Sequence, residues 1–93
     1  MIRIYLFTID DCSYCHKLKE MLLEEKISFF NIDIESNEDE YLPIIEQTGN
    51  DLVPAIMLVN SDTSDKKYIL PERDFKHLNA ALQLIKESIH TEA

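Results

Sequence analysis

The stretch Asp10-Asp11-Cys12-Ser13-Tyr14-Cys15-His16 holds both cysteines of the chain, where an apolar strand pattern gives way to a helical one. A C-x-x-C at a strand-to-helix junction in a βαβ setting is a redox signature. If the helix starts at or just after Cys12, its free N–H groups and positive dipole end face the Cys12 sulfur and favour the thiolate. Cys12 is therefore the candidate nucleophile. Cys15 lies about one turn further in, within the roughly 4.4–6.8 Å Cα separation that a disulfide tolerates. It is the more buried of the two and can resolve a mixed disulfide formed on Cys12. Asp10 and Asp11 oppose the dipole, so Cys12 is expected to be modestly rather than strongly acidic. His16 reads as a partly exposed helix residue which, when protonated, would tune the Cys12 thiolate.

Upstream, Ile2 to Phe7 alternates as a strand, with Ile2, Ile4 and Leu6 on one face and Arg3, Tyr5 and Phe7 on the other; apolar residues on both faces imply that both are covered. Downstream, Cys15, Leu18, Met21 and Leu22 recur at helical spacing up to about Lys26. Ser28 to Ile34 is rich in β-formers and predicts a second strand offering Phe30, Ile32 and Ile34 to one face. A strand, a helical crossover and a second strand make a βαβ unit, which is parallel and right-handed. Ser36 or Asn37 can cap a second helix that stops at Gly49, with Pro43 expected to kink it or confine it to its C-terminal half. Ala55 to Val59 predicts a central strand, Asn60 to Asp65 a turn, and Lys66 to Leu70 an edge strand. Phe75, Leu78, Leu82, Ile85 and Ile89 form a core-facing helical stripe, opened by Pro71 and Asp74. The expected order is β-α-β-α-β-β-α, an α/β fold with a four-stranded mixed sheet and helices on both faces. A single domain over residues 1–93 is expected from the length.

Eighteen acidic against nine basic residues give a formal charge of −9, which removes the counterion-release drive for nucleic-acid binding. No apolar run approaches the roughly 20 residues of a membrane span, and the N-terminus lacks the features of a signal peptide. The expectation is a soluble cytoplasmic protein, working as a monomer without nucleic-acid or membrane partners. In a reducing compartment a close cysteine pair is more often catalytic or metal-binding than a structural staple. A zinc ribbon would want a second ligand pair; only His16, His77 and His90 remain, and none completes one, so no metal site is expected. The string Cys12-x-x-Cys15-His16 also matches the attachment pattern of a c-type haem. That chemistry needs export, a second axial ligand and a large pocket, for which the sequence offers no signal.

Val53-Pro54 stands immediately before the buried strand. Proline cannot donate a ladder hydrogen bond, so Pro54 belongs at the strand's start, either with a cis peptide bond facing the thiols or as an ordinary trans loop residue.

From Ile2 to about Ile89 the chain resembles the glutaredoxins of the thioredoxin-fold superfamily. The likeness rests on Cys12-Ser13-Tyr14-Cys15, on Lys19 four residues past the second cysteine, and on Thr48-Gly49-x-x-x-Val53-Pro54, with Leu52 where the family has Thr. It implies a thioredoxin-like fold, a cis proline at Pro54 and a nucleophilic Cys12. It also implies reduction of protein or glutathione-mixed disulfides, with glutathione as electron donor and no tightly bound cofactor. The implied substrate and glutathione contacts are Tyr14, Val53, Pro54, Asp74, Lys19 and Gln47. Tyr14 has two readings, as a shield over the disulfide that touches the target or as packing over the helix start. The chain departs from the family pattern at Ile9, where a lysine is usual; at Gln47, where a basic residue often stands; and at Leu70-Pro71, in place of a Gly-Gly pair. Those departures keep open a relative reduced by a thioredoxin reductase instead of glutathione. Ser13 keeps open a carrier of a [2Fe–2S] cluster bridged through Cys12 and glutathione.

Overall fold

The computed structural model describes residues 1–91. The elements run β1 (Ile2–Thr8), α1 (Ser13–Glu24), β2 (Phe30–Asp33), a short 3-10 turn (Ile34–Ser36), α2 (Glu38–Thr48), β3 (Ala55–Asn60), β4 (Lys66–Ile69) and α3 (Leu78–Thr91). The sheet order is β2-β1-β3-β4. β2 lies parallel to β1, as a βαβ crossover requires, while β3 is antiparallel to both β1 and β4. The expected fold class is thus present, with the mixed sheet and helices on both faces.

Alternation along β1 divides the interior into two layers. Ile4 and Leu6 meet Leu18 and Leu22 of α1, Ile56 and Leu58 of β3, and Ala81 and Ile85 of α3. Phe7 on the opposite face packs with Tyr41 and Ile44 of α2, Ala55 and Leu70. Removing each large apolar side chain from water contributes about 1.5–3 kcal/mol, so the layer shared by α1 and α3 is the sturdier one. Lys86 Nζ donates to Glu25 Oε1 at 2.9 Å and ties α3 to the end of α1. At the open end of β1 the buried Thr8 hydroxyl donates to Asn31 Oδ1 at 2.7 Å, fastening the last residue before the cysteine loop to β2.

Several boundaries differ from the sequence expectation. α1 ends at Glu24, and β2 is confined to Phe30–Asp33, with Ile34 turning into the 3-10 segment. Phe30 is 56% exposed, yet its ring stacks on Tyr5 of the paired strand, centroids 5.2 Å apart. Pro43 neither ends α2 nor confines it to its second half: the helix runs from Glu38 through the proline. The helix loses one internal hydrogen bond there, and the acidic first turn of Glu38, Asp39 and Glu40 favours its N-terminal dipole end. Asn37 is the N-cap residue but does not cap with its side chain; its Nδ2 donates to the Asp33 carbonyl instead. Gly49 ends α2 at φ 70°, the left-handed conformation that lacks a penalty only for glycine. α3 begins at Leu78, later than Asp74, because Phe75 is held outside the helix in a bridge with Pro71. Among the described residues no helix is long and apolar enough to cross a membrane.

Candidate active site

β1 and β3 are neighbours in the sheet, with Phe7 opposite Ala55. The loop leaving β1 carries the cysteines and the loop entering β3 carries Val53-Pro54, so the register brings the two loops out at one edge.

Cys12 is the N-cap of α1, with extended backbone, and its Sγ accepts the Cys15 N–H at 3.0 Å. The sulfur therefore occupies the place of a capping oxygen, at the end of the helix where unpaired N–H groups concentrate. Cys15, one turn in, is fully buried, as are Leu18 and Leu22 further along α1. The two sulfurs are joined in a disulfide, with the Cα atoms 5.2 Å apart. Cys12 is the partly exposed member of the pair. Asp10 and Asp11 are both exposed beside it, with no cation paired to either among the described residues. His16 Nε2 sits 2.8 Å from the Asp10 carbonyl, which can only accept, so this nitrogen carries a proton and the ring is turned onto the loop.

The Val53–Pro54 peptide is cis, and Pro54 is buried at the head of β3. Neither the N–H nor the carbonyl of Val53 makes a hydrogen bond among the described residues. A cavity of about 220 Å³ opens beside it, lined by Tyr14, Leu52, Val53, Pro54 and, from the far side, Pro71, Glu72, Phe75, Lys76 and Leu78. Tyr14, 67% exposed, forms one lip and Leu52, 45% exposed, another.

Asn50 holds the two sides of this cavity together. Its Oδ1 accepts the Leu52 N–H at 2.9 Å, while its Nδ2 donates to the Pro71 carbonyl at 2.9 Å. Sequence reasoning passed over Asn50, although an asparagine directly after a helix-ending glycine is the signal of a side chain that substitutes for backbone in a turn. On the far side, Asp74 Oδ2 accepts the Leu70 N–H at 2.8 Å and the Arg73 Nε–H at 2.9 Å. Burial opposes ionisation of Asp74, but the Arg73 and Leu70 hydrogen bonds and the charges of Arg73 and Lys67 outweigh it and hold the carboxyl below its ordinary value.

Of the residues singled out from sequence, Tyr14, Val53 and Pro54 share this cavity, and Cys12 and Cys15 stand at the start of the helix that carries Tyr14. Asp74 lies behind the cavity wall without lining it. Lys19 is partly exposed on α1 and does not line the cavity. Gln47 lines a separate groove with Tyr5, Met57 and Tyr68, on the α2 side of the sheet. Leu52, Glu72 and Lys76 line the cavity and were not anticipated as contacts. Among the described residues no three His, Cys, Asp or Glu side chains gather as a metal site.

A C-x-x-C disulfide at a helix start, with a cis proline at the head of the adjoining strand, is the arrangement of a thiol–disulfide oxidoreductase of thioredoxin-like fold. Solved structures bear out that fold: the thioredoxin-like protein BC3987 superimposes with a TM-score of 0.64 at 16% identity, covering 89% of this chain and 99% of that one. A malarial protein superimposes with a TM-score of 0.57 at 17% identity, covering 94% and 96%. The family model Glutaredoxin matches residues 4–62, a span that includes both cysteines and Pro54, and the chain belongs to the glutaredoxin family. Glutaredoxin 3 of Escherichia coli K12 is 29% identical over 58 residues, 62% of this chain and 70% of that protein. The same figures hold for Glutaredoxin 3 of Escherichia coli O157:H7. The family is a class of thiol–disulfide oxidoreductases, and this enzyme is one of them.

Proposed function

We propose that the enzyme reduces protein disulfides and glutathione-mixed disulfides through Cys12 and Cys15, with glutathione as its electron donor. The observation that carries this reading is the asymmetry of the pair: Cys12 is partly exposed at a helix N-terminus and Cys15 is fully buried one turn behind it. Once reduced, the Cys12 thiolate attacks one sulfur of a target disulfide and expels the other as a thiol, leaving Cys12 in a mixed disulfide. Cys15 then attacks the Cys12 sulfur, releases the second target thiol and closes the Cys12–Cys15 disulfide. Two glutathione thiols return the pair to the dithiol and leave as glutathione disulfide.

The unpaired N–H and carbonyl of Val53 support strand-like docking of the polypeptide or tripeptide around the disulfide, with Pro54 shaping the floor and Tyr14 flanking the sulfurs. Asp74 serves this site by holding the loop after β4, and Lys19 contributes positive potential from α1, whereas Gln47, uncharged and in a separate groove, has no part in it. We take the enzyme to act as a single-domain monomer in the cytoplasm, where a donor thiol pool exists. Turnover of a glutathione-mixed disulfide with glutathione and glutathione reductase is the test. Cys12→Ser is expected to abolish it, whereas Cys15→Ser retains reduction of mixed disulfides with small thiols but loses reduction of protein disulfides. Activity only with a thioredoxin reductase would assign the donor role elsewhere.

A further inference from the structure

The register of the strands sets three rows of side chains across the α2 side of the sheet. Phe7 and Ala55, with Leu70, form the row nearest the cysteine loop and are buried with Tyr41 and Ile44 of α2. Phe30, Tyr5, Met57 and Tyr68 come next, paired directly across all four strands. Arg3, Val59 and Lys66 form the row furthest from the cysteines. A helix is about 10 Å across, so α2 covers the first row and leaves the others. The second row is only partly buried, and Phe30 in it is 56% exposed. The first and third rows are about 13 Å apart along β1, which leaves room for one more helix beside α2. A groove of about 290 Å³ already runs between the edge of α2, at Glu40, Pro43 and Gln47, and the floor of Tyr5, Met57 and Tyr68. None of its lining residues lines the cavity beside Pro54.

Charge decides what fits there. Arg3 and Lys66 are exposed on either side of Val59, with backbones about 10 Å apart. Neither makes an ion pair among the described residues. In a chain of charge −9 they give the foot of the sheet a cationic border, while Glu40 gives the α2 border the opposite sign. We propose that this face docks an amphipathic helix of another protein. Its apolar stripe lies on Tyr5, Met57 and Tyr68, its carboxylates line the flank that meets Arg3 and Lys66, and the flank toward Glu40 carries no acid. A helix is the form that fits, because the backbone groups of the floor are already paired within the sheet and only side chains are on offer. The docked helix lies toward the start of β1, whereas the cysteines follow its end. It therefore leaves Cys12 free and presents disulfides of its own protein at raised effective concentration.

The probe is a helical peptide of about 14 residues, long enough to cross the four strands, with leucines on one face and glutamates along one flank. It is titrated into the full chain at about 0.15 M salt, where a screening length of roughly 8 Å leaves the local charges dominant, and amide NMR shifts are followed. Saturable shifts centred on Tyr5, Met57 and Tyr68 are expected. Lys66→Gln and Arg3→Gln are each expected to weaken binding by about two- to fivefold, the scale of exposed ion pairs. Lys17→Gln, on α1 across the sheet, removes the same charge and is expected to leave the affinity in place. With glutamine in place of the peptide's glutamates, Lys66→Gln is expected to make no further difference, which ties the loss to the pairing of charges. No shifts at about 1 mM peptide, shifts centred elsewhere, or equal weakening by Lys17→Gln overturns the proposal. So does a change in the same three amides on dilution of the protein alone, which would give the face to a second copy of this chain.

Discussion

Cys12 experiences two opposed fields. The end of α1 draws negative charge toward the sulfur, and Asp10 and Asp11 repel it from the preceding loop. Replacing both aspartates by asparagine, in a Cys15→Ser background that leaves one thiol, is expected to speed iodoacetamide alkylation of Cys12 at pH 7 by about two- to fivefold, the scale of exposed charge interactions. Alkylation followed by mass spectrometry measures this, and a neutral reagent keeps net charge from steering the outcome; a slower variant would mean that the carboxylates act on the sulfur through structure instead of field. At this scale the sequence was legible where chemistry is confined to a few adjacent residues. Cys12, Cys15 and Pro54 announce themselves by type and spacing. Asn50, Glu72 and Lys76 do not, because they come to one cavity only when the loop before β3 and the loop after β4 meet. Tyr41 was equally hidden. It is buried against Phe7 with its hydroxyl unpartnered among the described residues, and burial first, then the Asp51 charge, raises its pKa.

Periodicity located the four strands and the three α-helices, but it misjudged several of their bounds. Pro43 was weighed by its local cost alone, whereas burial of Tyr41 and Ile44 on either side of it keeps α2 continuous. The 3-4 spacing from Phe75 onward is real, yet Phe75 reaches the core from a loop. The cause is Asp74, read from sequence as a helix opener. Its carboxylate instead closes the Leu70–Asp74 turn, and its own N–H donates to the Leu70 carbonyl at 2.9 Å. Loss of that carboxylate in Asp74→Ala is expected to cost about 1 kcal/mol at pH 7, the lower end for a charge-assisted bond because the side chain is part-exposed. The folded protein holds the Asp74 proton less tightly than the unfolded chain does, since its pKa is lowered from 3.8. The stabilisation is therefore present above that ordinary value and disappears as pH falls through the folded one. Urea titrations of wild type and Asp74→Ala across acidic pH check this. The two curves are expected to converge as pH falls through the lowered, folded-state pKa; a constant gap would show that the side chain acts through shape and not charge.

The whole molecule carries −9 within extents of 33 × 28 × 23 Å, so its overall field and the local field of the cavity need not agree. The screening length separates them. At about 0.01 M salt it is roughly 30 Å, comparable to the protein, and every carboxylate is felt at Cys12; at about 0.15 M it is roughly 8 Å, and only nearby groups count. Glutathione disulfide is anionic, so the distant charges oppose its approach. Raising salt from the lower to the higher value is therefore expected to increase kcat/KM for glutathione disulfide by about two- to tenfold. Dicationic cystamine is expected to show the reverse, and uncharged bis(2-hydroxyethyl) disulfide little change. A salt response of the same sign for all three disulfides would place the effect in protein conformation, and the acidic surface would then have no part in choosing which disulfides arrive at the site.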